Sequence, residues 1–89
     1  MNKATKWEEV SFIISSSYRK RVLESLKDPK TPTKISKELN INKTHISKTL
    51  KELLSKKTII CLTPKANKGK LYLLSNYGKE ILKEILKLN

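Results

Sequence analysis

The side chains best suited to chemistry lie close together in residues 42–51, which carry hydroxyl, amide, imidazole and ammonium groups but no carboxylate. Hydroxyls, amides and an imidazole exchange hydrogen bonds with a partner, and lysine ammonium groups attract anions. Proton transfer needs an acid and a base held against each other, and this stretch has no such pair. The residue types are therefore typical of a surface that binds an anionic, hydrogen-bonding partner.

Catalytic and metal chemistry are disfavoured by the rest of the chain as well. It contains no paired carboxylates, no nucleophile–histidine set and no glycine-rich phosphate loop. His45 with Ser47 is too little for acyl transfer, because no acid is positioned to orient the imidazole. Cys61 is the only cysteine, so no internal disulfide or cysteine-rich zinc site can form, and we expect a small core residue. We therefore expect no enzyme, no metal and no cofactor.

The charge balance indicates the class of partner. The 89 residues include 18 lysines and two arginines against eight acids, which gives a net charge of +12. Such an excess destabilises the compact state by self-repulsion unless a polyanion relieves it, so nucleic acid is the leading partner and an anionic membrane surface the second. The chain has neither a long apolar span nor an N-terminal hydrophobic run, so we expect a cytoplasmic, nucleoid-associated protein. A core this small also leaves no evident place for a small-molecule effector.

Two short helices that meet at a tight turn must position the chemical groups. Thr31 and Pro32 form a strong helix start, a capping hydroxyl followed by proline at the first helical position. Asn40 stands where a left-handed residue closes a helix, and Asn42 caps the next one. Residues 31–56 therefore predict a helix-turn-helix, whose second helix lies in the major groove of DNA. The apolar residues of the two packing stripes are Ile35, Leu39, Ile46, Leu50, Leu53 and Leu54.

The second helix directs polar residues outward. With Ile46 and Leu50 facing the core, Thr44, Lys48 and Lys51 point away from it at about 100° per residue. Short polar groups near the start of such a helix suit base edges, and its cations suit phosphates. An ordinary solvated face is the alternative, which the capped turn before the helix and the hairpin after it make less favourable.

Two side chains near this face have roles that the sequence leaves open. His45, on the flank with Ser47, either donates to a phosphate or a base or is a surface histidine without a role. An earlier helix opens with Arg19, Lys20 and Arg21, which are placed to clamp a phosphate from the side, with Arg19 as the candidate contact. The plain alternative there is an intrahelical pair between Lys20 and Glu24, four residues apart.

A basic hairpin, the wing, follows at about 58–74. Residues 58–62 and 71–74 are rich in β-forming side chains, and a polar loop with turn formers joins them. Residues 63–79 contain no acid, so the loop would reach a minor groove or the adjacent backbone, with a merely soluble turn as the alternative. The loop lysines are Lys65, Lys68 and Lys70.

Three further helices complete one domain over residues 1–89, mainly α with a small β-hairpin. The first begins near Trp7 after a frayed, polar N-terminus. The second, capped by Ser16 or Ser17, runs to Lys27 with Tyr18 on its apolar face. The last occupies about 76–88 and is capped by Ser75. The terminal helices carry more apolar residues than one contact face needs, which predicts a homodimer formed through them.

The chain resembles the small archaeal winged-helix DNA-binding proteins, which are similar in fold to MarR-like and ArsR-like regulators. The resemblance covers nearly the whole chain, from about Trp7 to the last helix. It rests on Trp7, Val10, Ser17, Tyr18, Arg19, Val22, Leu23, Leu26, residues 31–35, Leu39, Ile46, Ser47, Lys48, residues 50–53, Leu71, Tyr72 and Gly78.

Together with the residue patterns, the resemblance implies that the chain binds double-stranded DNA. ArsR-like sensors add cysteine or histidine metal ligands, and MarR-like proteins add helices that hold a ligand cleft. Neither feature is matched here, so no metal or effector is implied. The candidate DNA-contacting residues are Arg19, Thr33, Asn42, Lys43, Thr44, His45, Ser47, Lys48, Lys51, Lys65, Lys68 and Lys70.

How finely the helix reads DNA depends on the type of its cations. Arginine makes most specific guanine contacts, whereas lysine binds the backbone well and reads sequence poorly. The predicted recognition helix and wing contain no arginine, although an AT-rich genome also favours lysine codons. A transcription regulator without a ligand domain is therefore only slightly favoured over an architectural chromatin protein. A winged helix that docks a protein partner is a third hypothesis.

Overall fold

The chain folds as five helices and a two-stranded hairpin within residues 6–88, the part that the computed structural model describes. The expected frayed N-terminus falls on residues 1–5, outside the described residues. The predicted class, mainly α with a small hairpin, is confirmed. In chain order the elements are α1 Lys6–Ile14, α2 Ser17–Ser25, α3 Pro32–Leu39, α4 Lys43–Ser55, β1 Ile59–Cys61, β2 Tyr72–Leu74 and α5 Asn76–Lys87.

Four helices begin at a polar residue whose side chain accepts a hydrogen bond from the backbone of the first turn. Thr31 caps α3 directly before Pro32, and Asn42 caps α4. Ser16 caps α2 and Ser75 caps α5. All four caps agree with the sequence prediction. Each supplies an acceptor to an N–H group that has no partner inside the helix, so these helix starts are determined locally.

The turn between α3 and α4 is closed by Asn40, whose φ of 56° and ψ of 47° are left-handed. The Ile41 N–H donates to the Ser36 carbonyl oxygen at 3.1 Å, and the Ser36 hydroxyl donates to the Ile41 carbonyl oxygen at 2.6 Å. Ile41 is buried at the corner, and α3 and α4 pack against each other. The predicted helix-turn-helix is confirmed.

The hairpin is antiparallel, with Ile59 opposite Leu74. The Leu62 N–H donates to the Leu71 carbonyl oxygen at 2.8 Å, so pairing continues beyond the strands. The strands are one or two residues shorter than predicted. The first begins late because the backbone and hydroxyl of Thr58 are still bonded to the end of α4.

The segment between α2 and α3 is tied to the second strand, which the sequence did not predict. Lys30 and Tyr72 exchange both backbone hydrogen bonds, at 3.1 and 2.9 Å. The Leu74 N–H also donates to the Leu26 carbonyl oxygen at 3.0 Å. The chain must leave α2 early to reach the strand, so α2 ends two residues before the predicted Lys27. Because only one residue on each side forms this bridge, the sequence around Lys30 lacks the alternating pattern that predicts a strand.

One apolar core joins the five described helices and the hairpin. α2 contacts α1, α3, α4 and α5, while α1 packs on α5. Gly78 lies where α5 passes closest to the hairpin, since a Cβ there would stand 1.8 Å from the Thr58 carbonyl oxygen. The buried apolar residues are Val10, Ile13, Val22, Leu23, Leu26, Ile35, Ile41, Ile46, Leu50, Leu53, Ile59, Leu74, Ile81, Leu82 and Ile85.

Several residues predicted to face the core lie nearer the surface. Tyr18, in the first turn of α2, is 36% exposed and its ring contacts His45 of α4. Leu39, Leu54 and Cys61 are half-buried, and each lies at or next to the end of its own element. Trp7 and Ile14 on α1 are 59% and 43% exposed, so part of the N-terminal apolar stripe has no cover within the described chain.

Candidate nucleic-acid interface

The predicted outward side of α4 is exposed along its length. Ile46, Thr49, Leu50 and Leu53 are the buried residues of this helix. No acid occurs in its first turn, and none of its exposed lysines forms an ion pair within residues 6–88. We call this exposed surface the lysine face; it consists of Lys43, Thr44, His45, Ser47, Lys48 and Lys51.

The start of α4 adds a second source of positive potential. The Asn42 side chain accepts from the Thr44 N–H at 2.7 Å, so its amide oxygen is engaged in the cap and only its NH₂ group stays available to a partner. The other N–H groups of the first turn carry the partial positive charge of a helix N-terminus, which attracts phosphate. Thr33 is exposed in the first turn of α3. The structure thus places polar groups at the starts of both helices of the helix-turn-helix.

Arg19 is engaged inside the protein, which corrects the expectation that it is free to clamp a phosphate. Its Nε donates to Glu52 Oε1 at 3.0 Å and its Nη2 donates to Glu52 Oε2 at 3.2 Å. Its Nη1 donates to the Phe12 carbonyl oxygen at 2.8 Å and to Ser15 Oγ at 3.1 Å. The guanidinium also lies 3.8 Å from the centroid of the Phe12 ring. A forked donor with its partners already in place has little capacity left for DNA.

The pairing neutralises the one acid of α4. The hydrogen bond from Arg19 is the largest influence on Glu52 and lowers the pKa of that carboxyl below its ordinary value, against the opposing effect of burial. The positive charges of Arg19 and Lys48 lower it further. Glu52 is therefore ionised and turned toward α2, and its charge is compensated before it can repel a phosphate near the lysine face.

The second arginine is also engaged. Arg21 Nη2 donates to the Leu39 carbonyl oxygen at 2.6 Å, at the end of α3. The alternative pair between Lys20 and Glu24 is not among the ion pairs of the described residues. Both arginines of the sequence lie in α2. The basic side chains of the lysine face and of the wing loop are therefore lysines, apart from His45.

Tyr18 is a surface residue whose position the sequence pattern did not predict. Its ring lies 5.1 Å from the His45 ring, centroid to centroid, with the planes tilted by 50°. The contact places the phenol ring of α2 beside the imidazole in the first turn of α4. The apolar spacing of α2 assigned Tyr18 inward; its position in the first turn of that helix was the signal that it could lie outside the core.

The wing loop presents lysines on a locally closed backbone. The Ala66 N–H donates to the Thr63 carbonyl oxygen at 3.0 Å, and the Leu71 N–H donates to the Thr63 hydroxyl at 3.0 Å. Gly69 has a φ of +64°, which glycine adopts without strain. Of the three predicted loop residues, Lys65 and Lys68 are exposed and Lys70 is half-buried. None of them forms an ion pair within the described chain.

Neither a metal cluster nor a membrane-spanning helix occurs in residues 6–88. No group of three or more His, Cys, Asp or Glu side chains there is arranged to hold a metal ion. None of the helices in the same range combines the length and apolar character needed to cross a bilayer.

This chain matches known proteins by comparison with solved structures. No protein-family model and no curated protein sequence matches it. TubR bound to 24 bp of tubC, from Bacillus thuringiensis serovar israelensis pBtoxis, is 16% identical, with a TM-score of 0.85 and 100% of both chains covered. A MarR mutant from E. coli, with one cysteine replaced by serine and complexed with operator DNA, is 23% identical with a TM-score of 0.74. That match covers 93% of this chain and 64% of MarR.

A third structure, the MarR family transcription regulator SP03579, is 21% identical with a TM-score of 0.75. It matches 92% of this chain over 56% of its own length. The chain thus spans the whole of TubR but only part of the MarR-type proteins. The archaeal origin that the resemblance implied stays a prediction. The arrangement of helices and hairpin is that of a winged helix-turn-helix.

Proposed function

We propose that this protein binds double-stranded DNA, with the lysine face in the major groove and the wing loop on the neighbouring backbone or minor groove. The observation that carries the proposal is the acid-free lysine face on an exposed helix of a winged helix-turn-helix. The deep burial of the opposite side of α4 holds that helix in place, so the face is preorganised. Two of the solved structures with this fold are bound to DNA, tubC for TubR and operator DNA for MarR.

The proposed contacts follow from the chemistry of each group. An α-helix about 10–12 Å wide fits a major groove about 12 Å wide. Lys48 and Lys51 then reach phosphates, while Thr44, His45 and Ser47 near the helix start approach base edges. The loop lysines extend the phosphate contacts to the next groove. Affinity would therefore come mostly from charge and depend steeply on salt.

We propose a transcription regulator without a ligand domain as the main role. A second candidate is an architectural or DNA-segregating protein with low sequence specificity. The engagement of Arg19 supports weak base readout, because its guanidinium fork is already bonded to Glu52, and the remaining cations near the groove are lysines. The whole-length similarity to TubR, a type III plasmid segregation protein, also favours the second candidate.

We also propose that the protein acts as a homodimer. Trp7, Ile14 and Leu88 are exposed apolar residues on or next to the terminal helices, at 59%, 43% and 52%. A two-fold dimer would present two lysine faces to one duplex, which raises affinity while each subunit keeps the same set of DNA contacts. We propose in addition that the protein is cytoplasmic and associated with the nucleoid.

Salt-dependent affinity separates the two roles. Binding is measured on random duplexes and on the DNA upstream of the protein's own gene, over a range of salt concentrations. A regulator binds the upstream DNA at least about a hundredfold more tightly than random DNA at physiological salt. Equal affinities with the same steep salt slope would establish the architectural role instead.

Charge reversal on the lysine face tests DNA binding itself. Lys48→Glu with Lys51→Glu should weaken binding at least about a hundredfold, because two phosphate attractions become repulsions. The matched control is Lys79→Glu with Lys83→Glu on α5, which changes the net charge equally, from +12 to +8. If both variants are weakened by the same factor, the lysine face is not the interface. Unchanged DNA affinity in the first variant would favour a protein-docking module.

A further inference from the structure

A lysine-rimmed groove lies apart from the lysine face, between α5, β2 and the segment just after α2. It has a volume of about 290 Å³ and is lined by Lys27, Leu74, Lys79, Leu82, Lys83 and Leu86. None of the predicted DNA-contacting residues lines it, so the proposed function does not use it. We call it the α5 groove.

The floor of the α5 groove is apolar and partly open to water. Leu74 and Leu82 are buried in the core, and only their outer surfaces form the floor. Leu86 stands beside them and is 44% exposed. An aliphatic side chain laid into the groove would cover all three leucines, and a free energy gain proportional to the apolar area removed from water would follow.

Three lysines surround this floor without a compensating acid. Lys27, Lys79 and Lys83 are exposed, and none of them forms an ion pair within residues 6–88. The nearby acids of α5 are used elsewhere: Glu80 pairs with Lys6 at 3.6 Å and Glu84 with Lys87 at 3.5 Å. The groove therefore favours an occupant that carries negative charge as well as an apolar surface.

The α5 side of the groove has the repeat of a helix–helix contact. Lys79, Leu82, Lys83 and Leu86 stand at i, i+3, i+4 and i+7, on one face of the helix. They span about 10 Å, two helical turns. DNA would neutralise these lysines but leave the leucines in water. A second copy placed on the groove by two-fold symmetry would set the same three lysines against these three.

We propose that the α5 groove binds an acidic amphipathic helix of a partner protein. Aliphatic side chains of that helix occupy the groove, and its carboxylates face Lys27, Lys79 and Lys83. This is recognition of an amphipathic helix in an apolar groove, with charge selecting the partner. The surface would let the protein recruit another protein while its lysine face holds DNA.

The test uses the full chain labelled with ¹⁵N and a capped peptide of about four helical turns with leucines on one face and glutamates on both flanks. The expected result is saturable shifts of amide signals from Lys79, Leu82 and Leu86, and not from the lysine face. Lys79→Glu with Lys83→Glu should weaken peptide binding at least about tenfold. The matched control, Lys48→Glu with Lys51→Glu, should leave it within about twofold, because it lies outside the groove.

Further variants and ligands separate the possible occupants of the groove. Leu86→Gln removes an exposed apolar contact with little risk to folding and should also weaken binding. Equal binding of a peptide with glutamine in place of glutamate would overturn the charge complementarity. Tighter binding of decanoate or of anionic vesicles at the same amides would assign the groove to a lipid-like ligand instead. Concentration-dependent self-association that buries the groove and disappears with Leu86→Gln would assign it to a second copy. Failure of DNA binding alone would leave the peptide result intact.

Discussion

At the scale of residues, the two arginines show how a partner distant in sequence decides what a side chain does. Arg19 lies at the opening of a basic helix, where it could meet a phosphate. Instead, Arg19 donates two guanidinium N–H bonds to the carboxylate of Glu52, 33 residues later. The Phe12 ring lies against the face of the same guanidinium. The lysines of α4 that are exposed have no such partner in the described chain, so they can meet an external anion. The charge available to DNA is thus set by side-chain pairing as well as by composition.

The Arg19–Glu52 pair should make stability depend on pH in the acid range. The native pKa of Glu52 is lowered from 4.5, so the pair stabilises the fold above that pH and the gain disappears as pH falls through the native value. Glu52→Gln should lower the free energy of unfolding by roughly 1–2 kcal/mol at neutral pH, since the pair is partly exposed to solvent. The loss of stability below about pH 4.5 should be smaller in this variant than in the parent protein. Urea unfolding at neutral and acid pH measures this. Glu84→Gln on α5 is the control, and an unchanged acid slope in Glu52→Gln would contradict the role of the pair.

Gly78 should tolerate no side chain. A Cβ would stand 1.8 Å from the Thr58 carbonyl oxygen, and backbone on both sides limits any relaxation. Gly78→Ala should destabilise the protein by about 2–4 kcal/mol, since the helix must move away from the hairpin. Thermal unfolding measures the change, with Asn76→Ala in the same helix turn as the exposed control. A melting temperature equal to that of the parent would show that α5 shifts freely.

At the scale of elements, helix starts were predictable and the ends of β-strands and of α2 were not. A cap depends on a side chain and the N–H groups two or three residues away, so the sequence carries it locally. The late start of β1 depends on the bonds of Thr58 to α4. The end of α2 depends on Lys30 pairing with Tyr72, a contact between distant segments. Such a contact leaves no periodic pattern in either segment.

The contribution of the wing to DNA binding can be measured separately from that of the lysine face. Replacing Lys65, Lys68 and Lys70 by alanine should weaken binding and lower the slope of log affinity against log salt by about 0.9 for each phosphate that is no longer neutralised. Stability should hardly change, because these side chains form no ion pairs in the described chain. A control with alanine at Lys79, Lys83 and Lys87 removes the same charge from α5. An unaltered salt slope in the wing variant would show that the loop does not touch DNA.

At the scale of the whole molecule, the acids are unevenly distributed. Half of the eight acids, Glu8, Glu9, Glu80 and Glu84, belong to the terminal helices. The lysine face and the wing loop have none. Exposed apolar residues are also found on α1 and next to the end of α5. The lysine face and the wing loop are therefore suited to a polyanion, and the exposed apolar residues of the terminal helices are suited to protein.

The homodimer is testable through its apolar residues. Trp7→Glu with Ile14→Glu should give a monomer, because two charges would face an apolar interface. DNA affinity should fall with it, since one duplex would then hold a single lysine face. Light scattering at micromolar concentrations reports the mass. The control, Lys20→Gln with Lys37→Gln, lowers the net charge equally, from +12 to +10, and leaves the apolar residues in place. A parent protein that scatters as a monomer would remove the proposed dimer.

The sequence by itself determined the order and type of the elements, the four helix caps, the left-handed Asn40 and the exposed side of α4. Each of these depends on neighbours within about one helical turn or on a period along one helix. Only the tertiary structure decided which cations remain free, where Tyr18 lies and that α5 borders a lysine-rimmed groove. These features depend on side chains from separate elements meeting in space. A pattern along the chain can place a lysine on a face, but it cannot show whether an acid from another helix lies beside it.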